Sequence, residues 1–216
     1  MKSRPRKISS VRQAKASKAV APVVIAGSSS PIVFLVGFMG AGKSTVGRTL
    51  SQRLNWVFED LDDRIERRER RSVAEIFRDY GELEFRRAER IALQSLLEEL
   101  HGGVARVVAL GGGAFVQPEN AALLRAAGVH TVLLDAPVDE LWRRCNEQAT
   151  ATAAERPLLS SAVRFRDLYD KRRLAYANAS LKIETAGRTV DEIAAEIMTV
   201  LQLKGIEVRT EEGDSE

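Results

Sequence analysis

The chain has 216 residues, 44% hydrophobic and 29% charged, with a formal net charge of +3; this is ordinary globular composition and suits one compact domain with a sizeable core, or at most two small ones. A single cysteine, Cys145, excludes an intrachain disulfide and a zinc site of clustered cysteines, and two histidines, His101 and His130, exclude an all-histidine metal centre. With one cysteine a reducing compartment, the cytoplasm, is the expected setting, and no apolar run is long enough to cross a membrane.

Residues 1–30 carry Lys2, Arg4, Arg6, Lys7, Arg12, Lys15 and Lys18 and no acid. These seven cations outweigh the net charge of the whole chain, so the basic balance belongs to a tail and predicts no nucleic-acid-binding body. A disordered, solvated leader is the expectation; an organellar targeting peptide or an arm that touches an acidic surface are the alternatives. Pro31 separates this leader from Ile32–Val36, a short β-rich run that feeds a glycine loop.

A helix is predicted over Lys43–Leu54, then a strand over Trp56–Glu59 with acids at its end. Short helices follow at Asp63–Arg68 and Val73–Arg78. A longer one spans Leu83–Leu100, with apolar residues at helical spacing and His101-Gly102-Gly103 as its stop. Ala105–Leu110 reads as a central parallel strand, Glu119–Ala127 as a helix capped near Gly128, Val129–Leu134 as a strand, and Val138–Gln148 as a helix. Ala149–Ser161 is small, polar and contains Pro157, and is predicted to be a loop. Val163–Asn178 is helical, Leu181–Thr185 a strand, and Val190–Leu203 the closing helix. Strands alternating with helices predict an α/β domain over residues 31–203 with a mostly parallel sheet and right-handed crossovers; residues 204–216 turn acidic and read as a frayed end.

The sharpest chemical signal is Gly37-Phe38-Met39-Gly40-Ala41-Gly42-Lys43-Ser44-Thr45, a full G-x-x-x-x-G-K-[ST] between a predicted strand and a predicted helix. Glycines let successive backbone N–H groups turn inward around phosphate oxygens, and the helix start adds its unsatisfied donors. Lys43 is expected to reach the β- and γ-phosphates of ATP, and Ser44 to place its hydroxyl on Mg²⁺.

Asp60 and Asp62 follow the second strand, and alternation along an extended chain would put them on one side. One acid suits a hydrated Mg²⁺ and the other an acceptor hydroxyl; capping of the next helix is the plain alternative. Gly81-Glu82-Leu83-Glu84-Phe85-Arg86-Arg87 opens the next helix, and of its two arginines one is expected at the surface and the other beside a carboxylate ligand. Gly111-Gly112-Gly113 ends a buried strand, as close backbone approach to a ligand requires, or as a flexible turn. Arg156-Pro157 lies in the small polar loop, where an arginine on a closing lid would face the transferred phosphoryl group. Trp56 and Trp142 are expected to be packing residues.

These motifs, in this order and with Arg156-Pro-Leu-Leu159, resemble the shikimate kinases over about residues 31–203. The resemblance implies a P-loop kinase fold, three-layer α/β/α, with a five-stranded parallel sheet in the order 2-3-1-4-5, a substrate-binding region at about 61–90 and a mobile lid at about 146–161. It implies transfer of the γ-phosphoryl group of ATP, with Mg²⁺, to shikimate by a monomer in aromatic amino-acid biosynthesis. Gly40, Ala41, Gly42, Lys43, Ser44 and Thr45 would hold the nucleotide, with Arg144 against the adenine and Arg156 over the phosphates. Ser44 and Asp60 would serve the metal. Asp62 would be the base and, with Arg86, Gly111, Gly112, Gly113 and Arg172, would line the substrate pocket, Glu89 bracing Arg86. Lys43, Asp62 and Arg156 would be the catalytic set. The chain departs from the family where it has Arg172-Arg173-Leu174-Ala175-Tyr176 in place of Arg-x-Pro-Leu-Tyr, which leaves Arg173 a rival of Arg172. It also has Val190 near where an adenine-side proline is usual, and a longer approach to the lid over 146–155. A gluconate-type kinase, a nucleoside monophosphate kinase and a ligand-binding module without turnover are the competing readings.

Overall fold

The computed structural model describes residues 31–99, 104–152 and 161–205. The basic leader, the glycine stop at 101–103, the lid arginine Arg156 and the tail from 206 onward lie outside the described residues. Five strands form one parallel sheet: β1 (Ile32–Val36), β2 (Val57–Asp60), β3 (Arg106–Ala109), β4 (His130–Asp135) and β5 (Leu181–Glu184). Their order is β2-β3-β1-β4-β5, the one that the sequence resemblance implies, in a three-layer α/β/α architecture. Val33 pairs with Val107 of β3 and with His130 of β4, so β1 occupies the centre. That position explains its composition: Ile-Val-Phe-Leu-Val is buried at every residue because helices cover both faces of the sheet.

Seven helices connect the strands among the described residues: α1 (Lys43–Leu54), α2 (Leu61–Glu69), α3 (Val73–Glu98), α4 (Pro118–Ala126), α5 (Val138–Thr152), α6 (Ala162–Tyr176) and α7 (Val190–Val200). α1 buries Val46, Leu50 and Leu54 on one side and packs against α7, whose Ile193, Ala194 and Ile197 are also buried. Leu35, Val107, Leu134, Leu141 and Phe165 belong to the same continuous core.

Two sequence expectations need correction. The second strand ends at Asp60 and α2 starts at Leu61, so Asp60 and Asp62 are not related by extended alternation. Asp60 is instead the N-cap of α2, its carboxylate accepting the Asp62 backbone N–H at 3.1 Å, the capping role weighed as the alternative. The short helix expected at Val73–Arg78 and the long one expected from Leu83 are both present within α3, separated at Gly81. Ser72 and Glu75 start the first with a reciprocal capping box, and Gly81, at φ 81° and ψ 176°, is non-helical and kinks the chain between the two. Finally, Ala149–Thr152 continue α5 rather than opening a loop, and the first part of the expected lid, Asn146–Thr152, is helical. Alanine is the best helix former, and the expectation underrated it.

Candidate active site

The carboxyl ends of the parallel strands bring the candidate residues to one edge of the sheet, where ligands bind in open α/β folds. β1 ends at Val36 and runs into the glycine loop, in which Gly37, Gly40 and Gly42 have φ of 143°, 79° and 89°. Gly42 is the N-cap of α1 in the left-handed conformation. The loop and the first turn of α1 thus present backbone N–H groups and the positive end of the helix to one point, as an anion site needs. Lys43 Nζ donates to the carbonyls of Gly37 and Phe38, both at 3.0 Å, which folds the side chain back along the loop. Burial pulls the Lys43 ammonium down to about 8 from its ordinary 10.5, and Asp62 and Asp60 oppose that effect as its nearest acids.

Ser44 Oγ donates to Asp60 Oδ2 at 2.9 Å. A hydroxyl from the phosphate loop and a carboxylate from the end of β2 therefore meet directly, an all-oxygen pair that suits a hard divalent cation. Among the described residues no cluster of three or more His, Cys, Asp or Glu forms a metal cage. The pair fits Mg²⁺ of the kind held by one or two protein oxygens plus phosphate and water rather than enclosed by protein.

Asp62, in the first turn of α2, has Oδ1 buried with no hydrogen-bond partner. Burial, reinforced by Asp60, pushes its carboxyl up to about 6, while Lys43 pulls the other way. That oxygen lies over Gly111, where a Cβ would come within 2.7 Å of it. The same close approach recurs two residues on: a Cβ on Gly113 would sit 2.8 Å from both Nη1 and Nη2 of Arg86. Gly111 and Gly113 thus leave room for the two functional side chains packed onto them, beyond any need for a turn.

Arg86 and Arg87 part company as expected. Arg87 is exposed and pairs with Glu84 at 3.0 Å; Arg86 lies in the cleft. Arg86 Nη1 donates to both oxygens of Glu89 at 3.2 and 3.1 Å, and Glu89 is only 1% exposed. Burial raises the Glu89 carboxyl to about 7 against the pull of Arg86. Arg172 reaches the glycine loop from α6, its Nη1 donating to the Gly112 carbonyl at 3.0 Å, whereas Arg173 is turned outward to Asp170 at 3.4 Å. The alignment of Arg172 with the cleft thus survives the missing proline. The Tyr176 hydroxyl donates to the same Gly112 carbonyl, and its burial raises the phenol to about 12. Sequence reasoning used Tyr176 only as a marker for Arg172 and did not see this contact.

Arg144 stands apart from that group. It joins α5 to the end of β5, donating to Glu140 at 2.9 Å and to the hydroxyl and carbonyl of Thr185 at 3.1 and 2.9 Å. Of the remaining candidates, Ala41 is buried in the phosphate loop and Thr45 is exposed in the first turn of α1. Trp142 packs edge-on against Phe165, a packing role as expected. A network that the sequence did not announce holds this end of the sheet. Glu59, buried in β2 one residue before Asp60, accepts from Arg64, Arg67 and Arg106, and Glu99 joins it through Arg64 and Arg106. The network ties α2 and the end of α3 to β2 and β3, and so fixes the frame on which Asp60 and Asp62 stand.

With this geometry in place, comparison with known proteins is informative. The family model described as shikimate kinase matches residues 39–202. A shikimate kinase from Geobacter sulfurreducens is 44% identical over 174 residues, covering 79% of this chain and 90% of that protein. Among solved structures, the shikimate kinase from Acinetobacter baumannii in complex with shikimate superposes with a TM-score of 0.70 at 34% identity, covering 81% of this chain and 94% of that one. The enzyme from Aquifex aeolicus gives 0.67 at 32% identity, covering 79% and 96%. A phosphate loop, a paired-acid turn and a glycine wall flanked by two arginines, on a chain this similar over most of its length, place the protein in the shikimate kinase family of P-loop phosphotransferases.

Proposed function

We propose that the chain transfers the γ-phosphoryl group of ATP to the 3-hydroxyl of shikimate, giving 3-phosphoshikimate and ADP. The observation that carries this reading is the placement of Asp62. Its buried, unpartnered oxygen lies over Gly111, on the same glycine wall whose next two residues receive Arg172 and Arg86. A small ligand with a carboxylate at one end and hydroxyls at the other matches that order of groups. The two guanidiniums hold the carboxylate, and Asp62 meets a hydroxyl.

In the reaction a bond forms between the acceptor oxygen and the γ-phosphorus, and the bond to the β,γ-bridging oxygen breaks. The hydroxyl proton passes to Asp62, whose carboxyl at about 6 is ionised at neutral pH yet basic enough to accept it. Lys43 sits opposite, its ammonium available to the charge on the phosphoryl oxygens. Ser44 and Asp60 would hold Mg²⁺, which would offset negative charge on the nucleotide phosphates. Arg156 is proposed to act over the phosphates from the lid, and Arg144 to border the base.

ADP release measured with shikimate, quinate, gluconate and nucleoside monophosphates as acceptors tests the reading. Shikimate should exceed every other acceptor by on the order of 10²-fold in kcat/KM, because a site built to bind hydroxyls and a carboxylate leaves buried polar groups unpaired with the wrong ligand. Faster turnover with gluconate or a nucleotide would replace the acceptor. The glycine wall offers a second check. Gly113→Ala should push the Arg86 guanidinium out of place and raise the KM for shikimate about tenfold or more, with little change in the KM for ATP. An unchanged shikimate KM in G113A would remove Arg86 from the substrate site.

A further inference from the structure

Arg86 is already saturated with carboxylates. Its Nη1 serves Glu89, and Gly113 closes against the Nη1/Nη2 end of the guanidinium. The remaining two-donor edge, Nε with Nη2, is held by Oε1 of Glu82, at 3.2 and 3.0 Å. Two carboxylates thus face one guanidinium before any substrate is considered. A third would crowd more negative charge onto one guanidinium in a partly dry cleft, which is unfavourable unless one of the first two withdraws.

The two are not equally able to withdraw. Glu89 is 1% exposed and has nowhere to rehydrate, so it cannot turn into water to make room for another partner of Arg86. Glu82 is 67% exposed and can turn into water at little cost. It is also the first residue after the bend at Gly81, whose Cβ position is open, so the backbone at the start of this helical segment is unencumbered.

We propose that Glu82 is an internal competitor for the substrate carboxylate: it occupies the Nε/Nη2 edge of Arg86 in the free protein and yields that edge when substrate binds. Resting on the shikimate reading above, this makes Glu82 a residue that tunes carboxylate affinity through Arg86. Every carboxylate that takes this edge must displace it, and a ligand also held by Asp62 and Arg172 does so most readily. Glu89 has the opposite role, keeping the guanidinium in place throughout.

The size of the effect follows from the contact. An exposed ion pair is worth about 0.2–1 kcal/mol, so removing the competitor should improve substrate affinity by a factor of about 1.5 to 5. Glu82→Gln preserves the helix and the shape while removing the charge. E82Q should lower both the Kd and the KM for shikimate by that factor, the change falling on KM rather than kcat. Inhibition by acetate or benzoate, competitive with shikimate, should strengthen by a comparable factor. Isothermal titration of shikimate into the E82Q and parent proteins, with steady-state kinetics at saturating ATP–Mg²⁺, reads these quantities. If Glu82 merely braces Arg86, E82Q raises the KM and weakens shikimate binding, and the proposal is overturned. Unchanged binding and unchanged carboxylate inhibition also overturn it. R86A, titrated in parallel, separates this from failure of the substrate assignment. Loss of shikimate binding in R86A keeps the assignment whatever E82Q does, and retained binding shows that the carboxylate is held elsewhere.

Discussion

Lys43→Ala should reduce turnover by on the order of 10²–10³-fold or more, with the fold intact. The side chain is short of alternatives: among the described residues its Nζ donates to the loop carbonyls of Gly37 and Phe38, and the acids that act on it are the proposed base Asp62 and the metal-side Asp60. An ammonium placed in a dry loop costs stability unless it meets negative charge, so its presence there serves a bound phosphate rather than the resting fold. The direction of its acidity makes this measurable. Because burial brings Lys43 down to about 8, the free protein loses that positive charge as pH rises through about 8. The kcat/KM for ATP should therefore fall above about pH 8, whereas kcat at saturating ATP should hold to higher pH, because phosphate restores the charged form. K43A should lack this alkaline limb. Turnover of K43A within threefold of the parent would remove Lys43 from the chemistry.

The sheet and the phosphate loop were legible because their signals are local. Apolar runs at β1, β3 and β4, bounded by glycine, proline or acids, announced parallel strands, and the glycine spacing before Lys43 announced the anion site. What the sequence misjudged was the length of α5. Ala149–Thr152 looked like loop from their small size, yet nothing there stops the helix. The meeting of Asp60 with Asp62 was anticipated for the wrong reason, since helix capping rather than strand alternation brings them together. Contacts between elements far apart in sequence were mostly invisible. Nothing local reveals that Tyr176 and Arg172 share the Gly112 carbonyl, or that Glu59 gathers three arginines. Glu82 is different: four residues before Arg86 on a predicted helix, it satisfied the i,i+4 rule and could have been named from spacing alone.

Asp62→Asn is expected to lose on the order of 10²-fold or more in turnover and, at the same time, to make the protein more stable. Both follow from one feature, a carboxylate kept ionised in a buried position with one oxygen unpartnered. Its carboxyl stands at about 6, against 3.8 for an ordinary aspartate. Between those values the folded chain holds a proton that the unfolded chain has released, so this group favours folding below about pH 4. The advantage is lost as pH rises, and above about 6 the folded state carries a buried charge. Each pH unit corresponds to about 1.4 kcal/mol, so the ionised side chain costs at most about 3 kcal/mol. Asparagine removes that cost but buries amide N–H groups that need acceptors, which returns about 1–2 kcal/mol. The net gain of about 1–2 kcal/mol should raise the Tm of D62N by a few degrees at pH 8 and by much less at pH 4. Kinetically, the parent should lose kcat/KM for shikimate as pH falls below about 6, where Asp62 takes up its proton, and D62N should show a low rate without that acid limb. A D62N protein that melts below the parent at pH 8 would mean that the carboxylate stabilises the resting fold, and one that turns over normally would reduce Asp62 to an orienting contact. The pairing of lost turnover and gained stability would mark Asp62 as a group held in an unfavourable state for the chemistry it performs.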